Sequence, residues 1–289
     1  MLAKLISVGL PVSLILVMTG VGLGLKLDDF RRVLTQPKGF MVGAIAQLIL
    51  LPIVAIILIE ILGLTGSIAV GLFIIALCPG GTTSNLYSVL AKADVGLSVS
   101  LTAVIGFITP FTIPLLGAWA ISHYGAEGAI ALPIAKTFIQ LLVVGVIPVI
   151  VGMAIRAKWT EFAVKAEPWV NRFSVFVLAF VIVAICLKLG PALGAAVEAA
   201  GPAALALNLV TMGAGYLLGK TLLHSEAQAR TIGLEVGLQN GTMALLITST
   251  ILQDNLMSMA PIIYSLLMFV TATLFTLVIG RRSATVATA

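Results

Sequence analysis

The sequence predicts an all-α integral membrane protein of about nine transmembrane helices, two of them broken at matching places in inverted halves. Three observations carry this reading. The 289-residue chain is 60% hydrophobic and 9% charged, with a mean hydropathy of +1.19. Apolar runs of about 20 residues, the length a helix needs to cross a bilayer, recur along it. Two of these runs hold clusters of Pro, Gly and polar residues at depth, where an uninterrupted helix would otherwise stand. A β-barrel is excluded, because it needs shorter segments that alternate apolar and polar.

The runs fall at roughly 5–25, 38–61, 67–90, 95–121, 130–155, 169–188, 201–223, 228–253 and 256–279. The first carries Lys4 and is followed at once by Lys26, Arg31, Arg32 and Lys38. No small-x-small site precedes a polar segment, so this run is expected to remain a span rather than to be cleaved. Basic residues recur in alternate connections: Lys92, then Arg156, Lys158, Lys165 and Arg172, then Lys220 and Arg230, then Arg281 and Arg282. With the N-terminus outside and the C-terminus cytoplasmic, only Lys4, Lys136 and Lys188 of the 16 Lys and Arg fall on or near the outer side. That asymmetry supports an odd number of spans and a multi-pass protein of the plasma (inner) membrane.

The net charge of +5 therefore reports orientation. Scattered between spans, these residues build no nucleic-acid surface. Cys78 and Cys186 lie in apolar runs and read as packed thiols, without metal-ligand spacing. No linker rich in Pro, Gly or Ser divides the chain, so a single membrane domain, 1–289, surrounded by lipid and monomeric, is the simplest organisation.

The third run reads Ala76-Leu77-Cys78-Pro79-Gly80-Gly81-Thr82-Thr83-Ser84-Asn85. Pro79 removes a backbone donor and Gly80-Gly81 relaxes the helical constraint. A break near Gly80 is expected, with a restart at Thr82 or Thr83, whose hydroxyls would cap the new helix. The eighth run holds Gly233-Leu234-Glu235-Val236-Gly237-Leu238-Gln239-Asn240-Gly241-Thr242, and its glycines allow unwinding around Gln239-Asn240. Each cluster ends in Asn and lies in the next-to-last span of its half. Broken helices at corresponding places of inverted halves point to a transporter's midplane site.

Glu235 is the costliest residue in that pattern. An ionisable group at such depth is a functional-site hypothesis by default. Beside it stand opened backbone and the side-chain carbonyls of Gln239 and Asn240, a cradle suited to a hard cation such as Na⁺. The bland alternative is a protonated acid bonded to a neighbouring helix. Ser98 and Thr102 share one helix face and either coordinate or bond back to their own helix. Gln47 is a ligand or interhelical glue, and Asn208 faces a cavity or glues helices. Gly213, Gly215 and Gly219 read as small-residue packing.

Three motifs, Cys78 to Asn85, then Leu97-Ser98-Val99-Ser100-Leu101-Thr102, then Glu235 to Asn240, together resemble the bile acid:sodium symporter family. The similarity covers nearly the whole chain, starting at the second helix of the family's ten-helix members. It implies a core domain from about 38–121 and 201–279, with the two broken helices crossing near the midplane. It implies a panel from about 5–25 and 130–188, and two sodium sites. The first would use Ser84, Asn85, Ser98, Thr102 and Glu235. The second would use Gln47, Glu235, Gln239 and the backbone carbonyls of Val236 and Leu238. The half-helix N-termini at Thr82, Thr83 and at Asn240, Gly241, Thr242 present N–H groups and a positive dipole end, which suit an organic anion.

The expected function is a sodium-coupled symporter that imports a small organic anion by alternating access. The candidates are a carboxylate such as a keto acid, a pantothenate precursor, or a bile-acid-like compound. Bile-acid-transporting relatives carry a polar His-Asn pair early in the last helix. Here the comparable stretch, Tyr264-Ser265-Leu266-Leu267-Met268-Phe269, lacks it, which favours a small carboxylate over bile acid. The alternatives are a proton-coupled or uncoupled anion carrier and, from another class, an ion channel. An intramembrane enzyme lacks its residues: no serine lies beside a membrane-depth histidine, and no paired aspartates or metal triad occur in the spans.

Overall fold

The computed structural model describes residues 2–125 and 132–286, and every regular element among them is helical. The first residues of the predicted run 130–155, and the side chains of Lys4, Arg32, Thr82, Arg281 and Arg282, lie outside the described residues. Helix α1 (Leu2–Gly24) turns sharply into the amphipathic α2 (Leu27–Thr35), with 79° between 8–24 and 27–35. Helix α3 (Pro37–Ile45) continues through a π-helical stretch (Ala46–Leu50) into α4 (Leu51–Ile61). Pro52 has no N–H to give the carbonyl four residues back. The ladder slips ahead of it, and the Leu51 N–H reaches back five residues to Ala46 O. The same slip precedes Pro148, where Ile147 N–H bonds Leu142 O.

Helices α5 (Gly66–Leu77) and α6 (Thr82–Leu90) are the halves of the third run. Helix α7 (Val95–Tyr124) is capped by Asp94, whose carboxylate accepts the Leu97 N–H at 3.1 Å. Helix α8 (Ile134–Leu141) leads through the stretch Leu142–Val146 into α9 (Ile147–Lys158). Helices α10 (Thr160–Leu189) and α11 (Leu193–Leu223) are joined by one 3₁₀ turn at Gly190–Ala192. The eighth run is α12 (Glu226–Gly237) and α13 (Gly241–Leu245), the latter extended by π-helical Leu246–Ile251. Helix α14 (Met259–Val286) closes the fold.

Among the described residues, five helical stretches are long and apolar enough to cross a membrane: 37–61, 95–124, 134–158, 179–223 and 259–279. The bent pair 8–24 and 27–35 makes a sixth if it counts as one span. Stretches 66–77 and 241–251 are apolar but short. The breaks explain the shortness. At 1.5 Å per residue, neither half of a broken run reaches across about 30 Å of hydrocarbon.

Two packing groups organise these rods. Helix α1 lies along α9 and α10, and α11 lies along α12 and α14. Helix α7 packs with α5, α6 and α12. Large apolar side chains cover much of the outside. On α14, Leu266, Val270, Leu274 and Val278 form an exposed stripe at helical spacing, as a lipid-facing surface requires.

The basic-residue pattern needs one correction. Arg230 is no loop charge: it is 2% exposed. Its guanidinium donates to Ala91 O at 2.9 Å and Ile279 O at 3.2 Å, and its Nε to Glu226 at 3.3 Å. It thus places positive charge on the C-terminal carbonyl end of α6. The glycines of α11 also divide: Gly215 and Gly219 abut α12, whereas Gly213 faces open space.

Helices α1 and α9 approach backbone to backbone through glycine on both sides. A Cβ on Gly22 would sit 2.2 Å from Val149 O, and one on Gly152 would sit 2.4 Å from Thr19 O. Gly22→Ala is therefore expected to lower stability by about 1–3 kcal/mol through overpacking. Gly213→Ala should leave it unchanged or slightly raise it. Thermal unfolding of the two purified variants in one detergent checks the contrast.

Candidate functional site

The broken runs meet at their breaks. Backbone at Gly80 and Gln239 forms a single antiparallel bridge. Gly81 N–H donates to Leu238 O at 3.0 Å, and Asn240 N–H donates to Pro79 O at 2.8 Å. Interrupted helices in an apolar interior must satisfy their freed backbone groups within the protein, and here each break supplies the partners of the other. Gly80 is required at this point, because a Cβ there would lie 2.3 Å from Glu235 Oε1.

The predicted cap of α6 is corrected by the structure. The N-cap position is Gly81, with no side-chain cap, and Ser84 Oγ instead donates to Gly81 O at 2.8 Å. At the second restart Asn240 does cap, its Oδ1 accepting the Met243 N–H at 3.0 Å.

Around Glu235 the structure gathers Ser84, Asn85, Ser98 and Thr102. Ser98 Oγ lies 2.8 Å from Glu235 Oε2 and 2.9 Å from Asn85 Oδ1. Thr102 Oγ1 donates to Glu235 Oε1 and stands 3.4 Å from Ser84 Oγ. Ser98 and Thr102 face the same way because they are four apart on α7. The cluster is rich in oxygen and poor in protons. Ser98 has one proton between two acceptors, so it satisfies only one at a time. Glu235 is 1% exposed, with no cationic side chain among its hydrogen-bond partners.

The second predicted group also converges. Gln47, on the π-helical stretch between α3 and α4, donates from Nε2 to Cys78 O at 3.0 Å and to Gln239 Oε1 at 2.7 Å. Gln239 Nε2 donates to Val236 O at 2.6 Å. The carbonyl of Leu238 is taken by the bridge to Gly81. Gln47 therefore holds helices together as well as presenting an amide oxygen beside Gln239, at 3.4 Å from its Nε2.

The predicted anion residues are less open. Asn240 and Thr242 are 4% and 3% exposed, Gly241 is buried, and Thr83 is partly exposed. The side chain of Thr82, at the first position of α6, lies outside the described residues. Beside the crossing a cavity of about 20 Å³ is lined by Pro79, Gly80 and Thr102 together with Met18, Val21 and Phe107. It lies between the crossing, α1, α7 and the stretch 145–149, and Asn240 is not in its wall.

Three residues that the sequence reading left out or unassigned complete the crossing. Asn208 Nδ2 donates to Gly237 O at 2.8 Å, and Tyr264 OH donates to the same carbonyl at 3.1 Å. Thr271 Oγ1 donates to Asn208 Oδ1 at 2.5 Å. They satisfy the last carbonyl of α12, which the break leaves without a helical partner. The only sequence signal was an asparagine and a tyrosine inside apolar runs.

The donor set decides which cation fits. One carboxylate with hydroxyl and amide oxygens suits a hard monovalent ion, whereas divalent sites draw on more carboxylates. Among the described residues no group of three or more His, Cys, Asp or Glu is arranged to hold a metal.

Comparison with known proteins points the same way. A profile of the Sodium Bile acid symporter family matches residues 11–193. The chain is 32% identical over 244 residues to the uncharacterized sodium-dependent transporter YocS of Bacillus subtilis (strain 168), covering 81% of this chain and 72% of that protein. It is 29% identical over 242 residues to the probable sodium/metabolite cotransporter BASS1, chloroplastic, of Arabidopsis thaliana, covering 82% of this chain and 58% of the plant protein. It is 29% identical over 276 residues to the ileal sodium/bile acid cotransporter of Cricetulus griseus, covering 92% of this chain and 76% of that protein.

The pair on Gly237 O generates a graded expectation. Asn208→Ala removes one donor to Gly237 O and the acceptor of Thr271, whose hydroxyl keeps Leu267 O and Met268 O, at about 1 kcal/mol or somewhat more. Tyr264→Phe leaves Asn208 in place and should cost less. Thermal midpoints of both variants beside the parent protein check the order.

Proposed function

The chain belongs to the sodium bile acid symporter family, and from that premise we propose that it is a sodium-coupled symporter importing a small organic anion by alternating access. It is a multi-pass membrane transporter of a sodium-dependent family, and its relatives are transporters, not enzymes. The observation that carries the finer reading is the buried Glu235 carboxylate, met among the described residues by hydroxyls and set beside amide oxygens where the two broken helices cross.

On this reading Na⁺ occupies two neighbouring sites. Ser84, Asn85, Ser98, Thr102 and Glu235 form the first. Gln47, Glu235, Gln239 and the carbonyls of Val236 and Leu238 form the second. A cation entering the first site takes the oxygens that now compete for single hydroxyl protons. The anion is held at the restarts of α6 and α13, by Thr82, Thr83, Asn240, Gly241 and Thr242, where the positive helix-dipole ends favour a carboxylate although the N–H groups of Asn240 and Gly241 are taken by Pro79 O and Gln239 O. Two sodium ions with one monovalent anion carry one net positive charge inward. Each 100 mV of membrane potential then adds about 2.3 kcal/mol to the driving force.

The inverted-repeat reading has its own support. Cys78 and Gly237 each lie two residues before the bridging residues Gly80 and Gln239. Each has its carbonyl held by a side-chain amide from the span one earlier, Gln47 in one half and Asn208 in the other. Matching roles at matching offsets are what two inverted copies of one unit would produce. The contacts of α1 with α9 and α10 support a panel, and those of α7, α11, α12 and α14 a core. Nine crossings follow if the bent pair 8–35 and each broken pair, 66–90 and 226–251, cross as one unit and α10 and α11 cross separately on either side of the turn at 190–192. We place the N-terminus outside and the C-terminus in the cytoplasm, in the plasma membrane, from the basic-residue asymmetry.

The test is uptake of radiolabelled small carboxylates, 2-keto acids first, into proteoliposomes at fixed pH with Na⁺ or with choline. Uptake should require Na⁺, and Glu235→Ala should lower it by about 100-fold while the protein still inserts. Undiminished sodium-driven uptake in that variant contradicts the assignment of Glu235. Uptake indifferent to choline replacement favours proton coupling.

A further inference from the structure

Within the Glu235 cluster one residue faces outward. Ser84, Ser98, Thr102 and Glu235 are buried, whereas Asn85 is only partly so. Asn85 also lines a second cavity, of about 540 Å³, between α1, α6, α7 and α10. An ion released from the cluster by way of Asn85 therefore enters this cavity. Its wall is glycine, valine, leucine and proline, apart from Asn85 and two ionisable residues of α10, Glu167 and Arg172.

The two charges are placed differently. Arg172 is exposed and stacks over its neighbour Trp169, 5.4 Å from the ring centre. Glu167 is half-buried and makes no hydrogen bond or ion pair among the described residues. Its carboxylate is seated over Gly24 of α1, where a Cβ would lie 3.1 Å from Oε1. Arg156 is the basic group whose charge acts on it, but the Arg156 guanidinium donates elsewhere, to Leu23 O at 3.3 Å. Burial pushes the Glu167 carboxyl up, and the charge on Arg156 offsets part of that. A half-buried carboxylate without a donor, in an apolar cleft, lacks a partner that a cation would supply.

We propose that Glu167 is a cation way station: a site for Na⁺ in transit between the Glu235 cluster and the aqueous side, entered and left by way of Asn85. The proposal rests on the sodium-coupled reading of the protein. A charge lining a low-dielectric cleft raises the local concentration of counter-ions and so the rate at which they pass. A station outside the binding site accelerates entry and exit by the same factor and leaves affinity in place. Glu167 sits on α10 and Asn85 on α6, so the two belong to different packing groups, and their separation changes whenever those groups move against each other.

The test uses sodium-22 alone, with the purified full chain in lipid nanodiscs. Glu167→Gln is expected to slow both association and dissociation by about tenfold while the Kd changes by less than about twofold. Glu167→Asp should recover most of the rate. Gly24→Ala, which presses on the carboxylate without removing it, should slow exchange in the same direction and guards against a folding defect in the first variant. Wild-type exchange rates in Glu167→Gln overturn the station, and the sodium reading stands if Glu235→Gln still abolishes saturable binding. A raised Kd with slowed association alone also overturns it, because the carboxylate is then a ligand of the Glu235 site. Absence of saturable sodium-22 binding in the wild type overturns the station and the sodium reading together.

Discussion

Two backbone hydrogen bonds, Gly81 N–H to Leu238 O and Asn240 N–H to Pro79 O, are the constraint on which the rest of the structure depends. Breaking a helix in an apolar interior frees donors and acceptors that water does not reach. A single break would leave them orphaned. Two breaks brought face to face satisfy each other, provided that backbone approaches closely on both sides. That requirement excludes a side chain at Gly80, whose place is filled by the Glu235 carboxylate. The carbonyls the bridge does not reach, Cys78 and Gly237, are taken by Gln47 on one side and by Asn208 and Tyr264 on the other.

The same geometry creates the chemistry. Opened backbone, the amide side chains of Asn85, Gln47 and Gln239 and three hydroxyls surround one buried acid, and among the described residues no lysine, arginine or histidine is bonded to it. A carboxylate so placed is stable when a cation completes it and costly when none does. On the proposed reading a cation would draw its oxygens from α6, α7 and α12 at once, which would couple binding to the integrity of the crossing. A ligand that joins three helices alters how they move together, and such coupling is what a symporter needs if transport of one solute is to depend on another.

Much of this was legible in the sequence. The predicted starts at 38, 67, 95 and 256 fall within a few residues of Pro37, Gly66, Val95 and Met259, because apolar length and flanking charge set them. The break at Gly80 followed from Pro79-Gly80-Gly81. The cap of α6 did not, since a threonine hydroxyl one position late does not replace the glycine at the N-cap. The π-helical stretches before Pro52 and Pro148 were invisible, because proline announces a break but not whether the ladder slips or stops. Asn208, Tyr264 and Thr271 lie 27 to 63 residues from their partners. Their residue types serve equally as interhelical glue, so only the fold reveals the carbonyl they share. Arg230 misled for a related reason: it stands where an inner-side charge belongs, yet buries itself against Glu226 and two carbonyls.

The central claim is that the crossing is a sodium site built around Glu235. The most direct measurement is a thermal-unfolding titration of the purified protein with NaCl against choline chloride at constant ionic strength. A saturable, Na⁺-specific rise in the midpoint is predicted, equivalent to about 2.7 kcal/mol at a hundred times the Kd, and absent when Glu235 is replaced by glutamine. Equal midpoints in sodium and choline, or a sodium response that survives the loss of the carboxylate, would contradict the claim.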